Sequence, residues 1–366
     1  MRHFWIENRP NTGKTVVQLL PLSMNEIIST LAEADIYDQK IDRFLDPGTV
    51  KALSIIKPWR GIVQIALEWL GIAAGIILCE SYRNWLLYFA AVIWIGARQH
   101  ALGVLLHDTV HYRLLPNRKW NDWIGDIFTA WPLFVTVCAY RQNHWAHHRH
   151  VNKPGDPDWE RKQNKKEFEF PKSGLHMALI TLKYWLGFYA IKAFADINQA
   201  AKIPLSVKYL RFAFYAAVLV ASIVFHFWLG LLIYWIVPLF TYFMWLVYVR
   251  GVSEHFGGIE DHEDLLKKTR HIEANLFERL FITPNYVHVH IGHHLYPSVP
   301  FYNLGKLQDR LMLNRDYAER AHVTKGYVAL VNEVLGESKQ GEPCHVKPVG
   351  DLAAGDDCPR GLQSHN

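Results

Sequence analysis

The chain has 366 residues, half of them hydrophobic and 14 % aromatic, with a formal net charge of +5. Its four cysteines, Cys79, Cys138, Cys344 and Cys358, show no framework spacing, which argues against a disulfide scaffold and fits a reducing compartment. No basic run is joined to a nucleic-acid motif, so the positive balance fits apposition to anionic lipid headgroups and speaks against a nucleic-acid partner.

A mean hydropathy near zero hides long apolar runs that alternate with charged ones. Residues 1–60 are mixed and polar and form an expected cytoplasmic N-terminal segment. With no secretory leader recognised there, the first span is expected to direct its own insertion. Gly13-Lys14-Thr15 matches the end of a phosphate-binding loop but lacks the earlier glycine, and is read as coincidence. Apolar stretches at 61–79 and 85–106 follow, joined by the polar link Glu80-Ser81-Tyr82-Arg83-Asn84, and the second helix pattern runs on towards His111. Glu68 lies inside the first stretch, where a carboxylate is costly against lipid, so it is expected to face the bundle or to lie shallow. From Phe212 to Val249 there is no Asp, Glu, Lys or Arg. At about 1.5 Å per residue that run crosses a bilayer twice. It divides into spans at 211–226 and 229–249, with His226 and Gly230 marking the turn. Two further apolar stretches, Ile124 to Tyr140 and Leu175 to Ala195, are read as interfacial or re-entrant. Residues 311–366 form a C-terminal segment with a loose tail from about 338.

Eight histidines fall into three clusters: His107 and His111, then His144, His147 and His148, then His290, His293 and His294. The first pair is separated by four positions and both triplets read HxxHH, so on a helix each cluster presents its imidazoles from one face. Histidine abundance alone does not account for this, since His3, His176, His322 and His365 follow no such rule. Imidazole nitrogen suits iron, zinc, copper or nickel, and eight such donors exceed what one ion holds, so two metal ions are expected. The absence of cysteine from the clusters disfavours structural zinc and iron–sulfur centres. Clusters that share metals must lie on one side of the membrane. The expected fold is therefore all-α and integral to the membrane, with four transmembrane helices in two hairpins beneath a cytoplasmic, helical, histidine-rich cap. The excess of Lys and Arg in the long segment between the hairpins marks the cytoplasmic side.

His107-Asp108-Thr109-Val110-His111, the run Arg141 to His148, and Asn285-Tyr286 leading to His290-Ile291-Gly292-His293-His294-Leu295-Tyr296-Pro297 resemble the three histidine boxes of the membrane fatty acid desaturases, a group that includes related hydroxylases and ketolases. The resemblance extends from the first span to about Arg310 and takes in Asp156-Pro157-Asp158. Three residues between the histidines of the first box make it more similar to the acyl-lipid and bacterial branch. The resemblance implies a non-haem di-iron centre that uses O2 to remove hydrogens from an unactivated hydrocarbon. It implies a ninth ligand, which His255 matches in position better than His262, placed in a charged stretch.

Neutral imidazoles leave such a centre strongly positive, so nearby carboxylates are expected to accept the free N–H of ligand rings: Asp108, Glu254, Asp156 and Asp158, the last two alternatively pairing with Arg149. His100, seven residues before His107 and on the same helix face, is expected beside the ligands, and His150 at the membrane interface. The chain departs from the family pattern in one place. Val287, His288 and Val289 separate Asn285-Tyr286 from the third box, and Gly292 stands where an acid is usual. His290 is the expected ligand because it completes HxxHH, and His288 is expected to be a hydrogen-bonding neighbour. With no GxGxxG, fused cytochrome segment or ferredoxin cysteine run, electrons are expected from a separate ferredoxin, rubredoxin or b-type cytochrome with its reductase.

The leading expectation is desaturation of a fatty acyl or related alkyl chain in the inner membrane. Hydroxylation or ketolation by the same core is the alternative, and a non-enzymatic metal-binding or transport protein is a third class. Substrate-binding residues are not readable at this level.

Overall fold

The computed structural model describes residues 44–191, 193 and 202–336. Among the described residues four helices are long and apolar enough to cross a membrane: α2 (Pro58–Tyr82), α3 (Trp85–Val110), α8 (Leu205–Val224) and α9 (Trp228–His255). A fifth is added if a pair of helical pieces bent by 88° counts as one span. These helices run past the expected spans at most ends, because those bounds stop where composition turns polar whereas the backbone hydrogen-bond ladder continues. α2 starts at Pro58, whose fixed φ suits a first helical turn, and stops at Arg83 in the left-handed region, with φ 40°. Asn84 then caps α3 by accepting from Leu86 N at 2.8 Å.

The interior of α2 and α3 shows why they pair. Gly75 leaves room for the Trp94 indole, since a Cβ there would stand 2.8 Å from its ring, and Trp94 Nε1 donates to Gly71 O at 2.7 Å. Glu68 faces the bundle: it accepts from Arg98 Nη1 at 2.8 Å and Gln64 Nε2 at 2.7 Å. Arg98 also donates to Leu280 O. By contrast α8 buries only Ser222 and exposes Phe212, Leu219, Val220 and Ile223, a surface suited to hydrocarbon solvent. α8 and α9 turn at Phe225–Phe227, where His226 has φ 56°. Gly230, expected in that turn, lies inside α9 instead. Pro238, which has no N–H to donate, lies between two π-helical turns of α9, Leu232–Ile236 and Leu239–Phe243.

Shorter elements precede α2 and fill the segment between α3 and α8. They include α1 (Pro47–Leu53), α4 (Arg118–Gly125), α5 (Val137–His150), α6 (Pro157–Lys162) and α7 (Gly174–Trp185). The stretch expected at Ile124 to Tyr140 is the bent pair, folded back at Pro132 and at Phe134 with φ 60°. Asp126 Oδ1 secures the bend by accepting from Val137 N at 2.8 Å. α7 has 12 residues, about 18 Å, too short to cross a bilayer.

Beyond α9 come β1 (His271–Ile272), α10 (Leu276–Phe281), α11 (His290–Leu295), α12 (Phe301–Met312), α13 (Arg315–Arg320), β2 (Val323–Thr324) and α14 (Gly326–Val334). The two short strands pair in parallel, His271 with Val323 and Ile272 with Thr324, and are the one departure from an all-helical chain among the described residues. They hold the C-terminal segment against the end of α9. There the buried Arg270 donates to Val252 O, Ser253 O and Phe256 O at 3.0–3.2 Å and pairs with Glu333 at 3.1 Å. This satisfies carbonyls that a helix end otherwise leaves open. The tail expected from about 338 lies outside the described residues.

Candidate metal centre

Each histidine reaches the centre through a local rule. α3 is 26 residues long, and its last turn carries His107, with His111 as its C-cap. Thr136 caps α5 by accepting from Ala139 N, and the helix then presents His144, His147 and His148. Asn285 and Tyr286, with φ 53° and 58°, turn the chain into the six-residue α11, which presents His290, His293 and His294. His255 is the last residue of α9.

All nine rings are buried and their nitrogens fall into two groups, each with its ligand atoms within 4.8 Å of one another. The first comprises His107, His111, His144, His148 and His293; the second comprises His147, His255, His290 and His294. The groups adjoin, with the His148 and His294 ring centroids 4.3 Å apart. The two HxxHH motifs divide in opposite senses. In α5 the pair at i and i+4, His144 and His148, joins the first group and His147 the second. In α11 the corresponding pair, His290 and His294, joins the second group and His293 the first.

The nitrogen tips fit metal coordination better than hydrogen bonding. His144 Nε2 lies 2.9 Å from His111 Nε2 and 3.0 Å from His148 Nε2, and His290 Nε2 lies 2.6 Å from His255 Nε2 and 3.0 Å from His294 Nε2. A neutral imidazole has one N–H and one lone pair, so tips that meet in threes cannot all be satisfied by sharing protons. Nitrogens bonded at about 2.1 Å to one ion at right angles would be about 3.0 Å apart. His107 Nε2 is buried with no hydrogen-bond partner, as expected of an atom kept for a cation. Burial holds His290, His293 and His294 well below the ordinary imidazole pKa, so they offer neutral donors.

Of the supporting carboxylates, Asp156 has the expected contact: its Oδ2 accepts from His147 Nδ1 at 2.8 Å, orienting the ring's Nε2 inward. The same carboxylate accepts from Asn152 N at 3.0 Å and caps α6. Two of the expected carboxylates make other contacts. Asp108 accepts from Phe301 N at 2.8 Å and so starts α12, because the residue after His107 points about 100° round the helix from it. Asp158 pairs with Arg161, one turn along α6, and not with a ligand ring. Glu254 does meet a ligand ring: it sits 3.5 Å from His290 Nδ1, across the site from its neighbour His255, and is bound by Arg250 at 2.8 Å. His100 is buried against Phe243 and is not among the converging rings. His262 and His150 are exposed. His288 turns its carbonyl to His271 Nδ1 at 3.1 Å, outside both groups.

Sequence reasoning missed the residues that align the boxes. Arg141 donates to Val110 O at 2.9 Å and Thr109 O at 3.1 Å, grips Asp122 at 2.5–2.7 Å, and lies 3.8 Å from the Tyr112 ring centroid. It thereby fastens the end of α3 to α5. Asn152 Nδ2 donates to His255 O at 3.0 Å and joins α5 to α9. The available signal is a cation one turn before the first histidine of α5. A cavity of about 220 Å³ opens beside the second group, touching His144, His147, His255 and His290.

The profile described as fatty acid desaturase matches residues 83–325. Dihydrorhizobitoxine desaturase of Bradyrhizobium elkanii is 34 % identical over 295 residues, covering 74 % of this chain and 81 % of that protein. The sn-1 oleoyl-lipid 12-desaturase of Anabaena variabilis is 25 % identical over 240 residues, 60 % of this chain and 67 % of that protein. A zeaxanthin 4-ketolase of Chlamydomonas reinhardtii is 24 % identical over 116 residues, 31 % of this chain and 26 % of that protein. With its apolar helices and its paired histidine clusters, the chain belongs to the fatty acid desaturase family and is a membrane oxidoreductase.

Proposed function

We propose that the chain is an O2-dependent di-iron desaturase that introduces a double bond into a fatty acyl or related alkyl chain. The observation that carries this reading is the pair of adjoining, buried, all-imidazole groups on the wall of a cavity. His107, His111, His144, His148 and His293 would hold one iron, and His147, His255, His290 and His294 the other. Bound iron supplies, with oxygen and external electrons, the oxidising power that an unactivated C–H bond demands. The balance is two hydrogens lost from adjacent carbons, with O2 reduced to two waters by two further electrons and two protons.

The protein's own part is placement. Asp156 fixes the His147 ring, Glu254 stands at His290, and burial keeps bulk water away from the rings. The electrons would come from a separate ferredoxin, rubredoxin or b-type cytochrome with its reductase. Ligands at the C-terminal ends of both α3 and α9 support two hairpins, α2 with α3 and α8 with α9, that open toward one side. The basic residues of the segment between them support the cytoplasmic face of the inner membrane as that side. Similarity to a ketolase favours hydroxylation or ketolation as the second reading. Purified protein, loaded with iron and supplied with reductant and lipid extract, is expected to yield a product lighter by two hydrogens. A product heavier by one oxygen would establish the second reading instead.

A further inference from the structure

One more histidine is sealed among the long apolar helices, outside the two ligand groups. His100 lies within α3, seven residues before His107, which sets it two turns, about 10 Å, back from the ligands. It is 2 % exposed, and neither Nδ1 nor Nε2 makes a hydrogen bond among the described residues. Its ring forms part of the wall of the cavity beside the four-histidine group, where the neighbouring wall is apolar: Gly103, Leu106, Leu133, Phe243 and Met244.

Helix geometry shows which way the ring reaches. A step of three residues falls about 60° short of a full turn, so His100 stands between Ala97 on one side and Gly103 and Leu106 on the other. Ala97 packs in a cluster with Tyr242, Leu246 and Ile282, whereas Gly103 and Leu106 line the cavity. The Ile282 carbonyl approaches the ring from the Ala97 side and can take one N–H. Arg98 and Arg250 are charged neighbours of the ring, and both are already engaged, Arg98 with Glu68 and Arg250 with Glu254. An imidazolium buried beside two cations is too costly, so the ring carries one N–H and one lone pair, on opposite nitrogens. With the N–H directed to Ile282, the bare nitrogen is left on the cavity side, an acceptor in an apolar wall. Such an atom costs free energy until something in the cavity donates to it.

Resting on the desaturase reading, we propose that the cavity takes an alkyl chain bearing a hydrogen-bond donor, a hydroxyl or an N–H, and that His100 accepts from that group while the carbons to be oxidised lie past His147, His255 and His290. A plain saturated chain, or one with only an ether or carbonyl oxygen at that place, would leave the nitrogen bare. His100 is then a residue that selects substrate and not one that binds metal.

The test is equilibrium binding of 1-octanol and of its isomer heptyl methyl ether to the iron-loaded, full-length protein in detergent, each corrected for partition into micelles. Iron content is measured on the same samples. The two probes have the same atoms, and only the alcohol donates a hydrogen bond. 1-Octanol is expected to bind about fivefold tighter or more, as for a buried acceptor that the ether leaves unpaired. His100→Phe, close in size and without a polar atom, is expected to erase that preference with iron content unchanged, and His100→Gln, which keeps an acceptor, to retain it. Absence of 1-octanol binding, equal affinity for alcohol and ether (the result if His100 holds only a water), a preference that survives in His100→Phe or vanishes in His100→Gln, or loss of iron in His100→Phe would each overturn the proposal. Because the readout is binding, these outcomes are separate from a failure of the desaturase reading, which would appear as parent protein without iron or product without a mass change.

Discussion

At the residue scale, the site depends on which atom of each ring faces the centre. His147 illustrates this: Asp156 holds its Nδ1, leaving Nε2 to meet His255 Nε2 at 3.0 Å. Replacing His147 with Ala is expected to abolish turnover and lower bound iron from about two per chain towards one, while the protein still reaches the membrane fraction; metal analysis and fractionation check both parts. Asp156→Asn should weaken metal retention by about 10–100-fold, measured by chelator competition. A second residue-scale consequence concerns acid. Burial pushes the His271 imidazole down to about 4, although its Nδ1 donates to His288 O. An unfolded chain takes up this proton near the ordinary value of 6.5, so the stabilising effect of neutral His271 is full above 6.5 and is lost as the pH falls towards 4. Melting temperatures are expected to drop across that window, and His271→Gln to flatten the drop by an amount equivalent to at most about 3 kcal/mol.

At the scale of elements, helical periodicity predicted which imidazoles share a face, but not how they divide between two groups. Residues at i and i+4 stay together, whereas the residue at i+3 turns to the other side, and α5 and α11 approach from different directions. The same approach explains why Asp108 and Glu254 serve elements across the site: a sequence neighbour points about 100° away. Arg141 has a comparable bridging role between α3 and α5. Arg141→Met should leave Val110 O without its donor and the Asp122 carboxylate without its counter-charge, costing about 2 kcal/mol or more. Thermal unfolding should fall accordingly, and activity should fall at least tenfold because the two helices lose register. Activity and melting temperature equal to those of the parent would show that the arginine does not hold the boxes together.

For the whole molecule, the exposed apolar faces of α2 and α8 and the largely buried α3 indicate a bundle solvated by lipid on its outer helices. If both hairpins open to the cytoplasm, an introduced Arg83→Cys or His226→Cys should be labelled by a membrane-impermeant thiol reagent in intact cells, while Arg118→Cys should be labelled only after lysis. Labelling at 118 from outside would invert the proposed orientation.

Much of this architecture was legible along the chain. Apolar run lengths determine the candidate spans, because the thickness of a bilayer is a fixed requirement, and the spacing of histidines determines which rings can be presented together, because one helical turn is a local geometry. The assignment of five rings to one group and four to the other, the true partners of Asp108, Asp158 and Glu254, and the cavity with His100 in its wall were decided only by tertiary structure. They depend on how separate helices cross, and no periodicity within one segment specifies the direction from which another arrives.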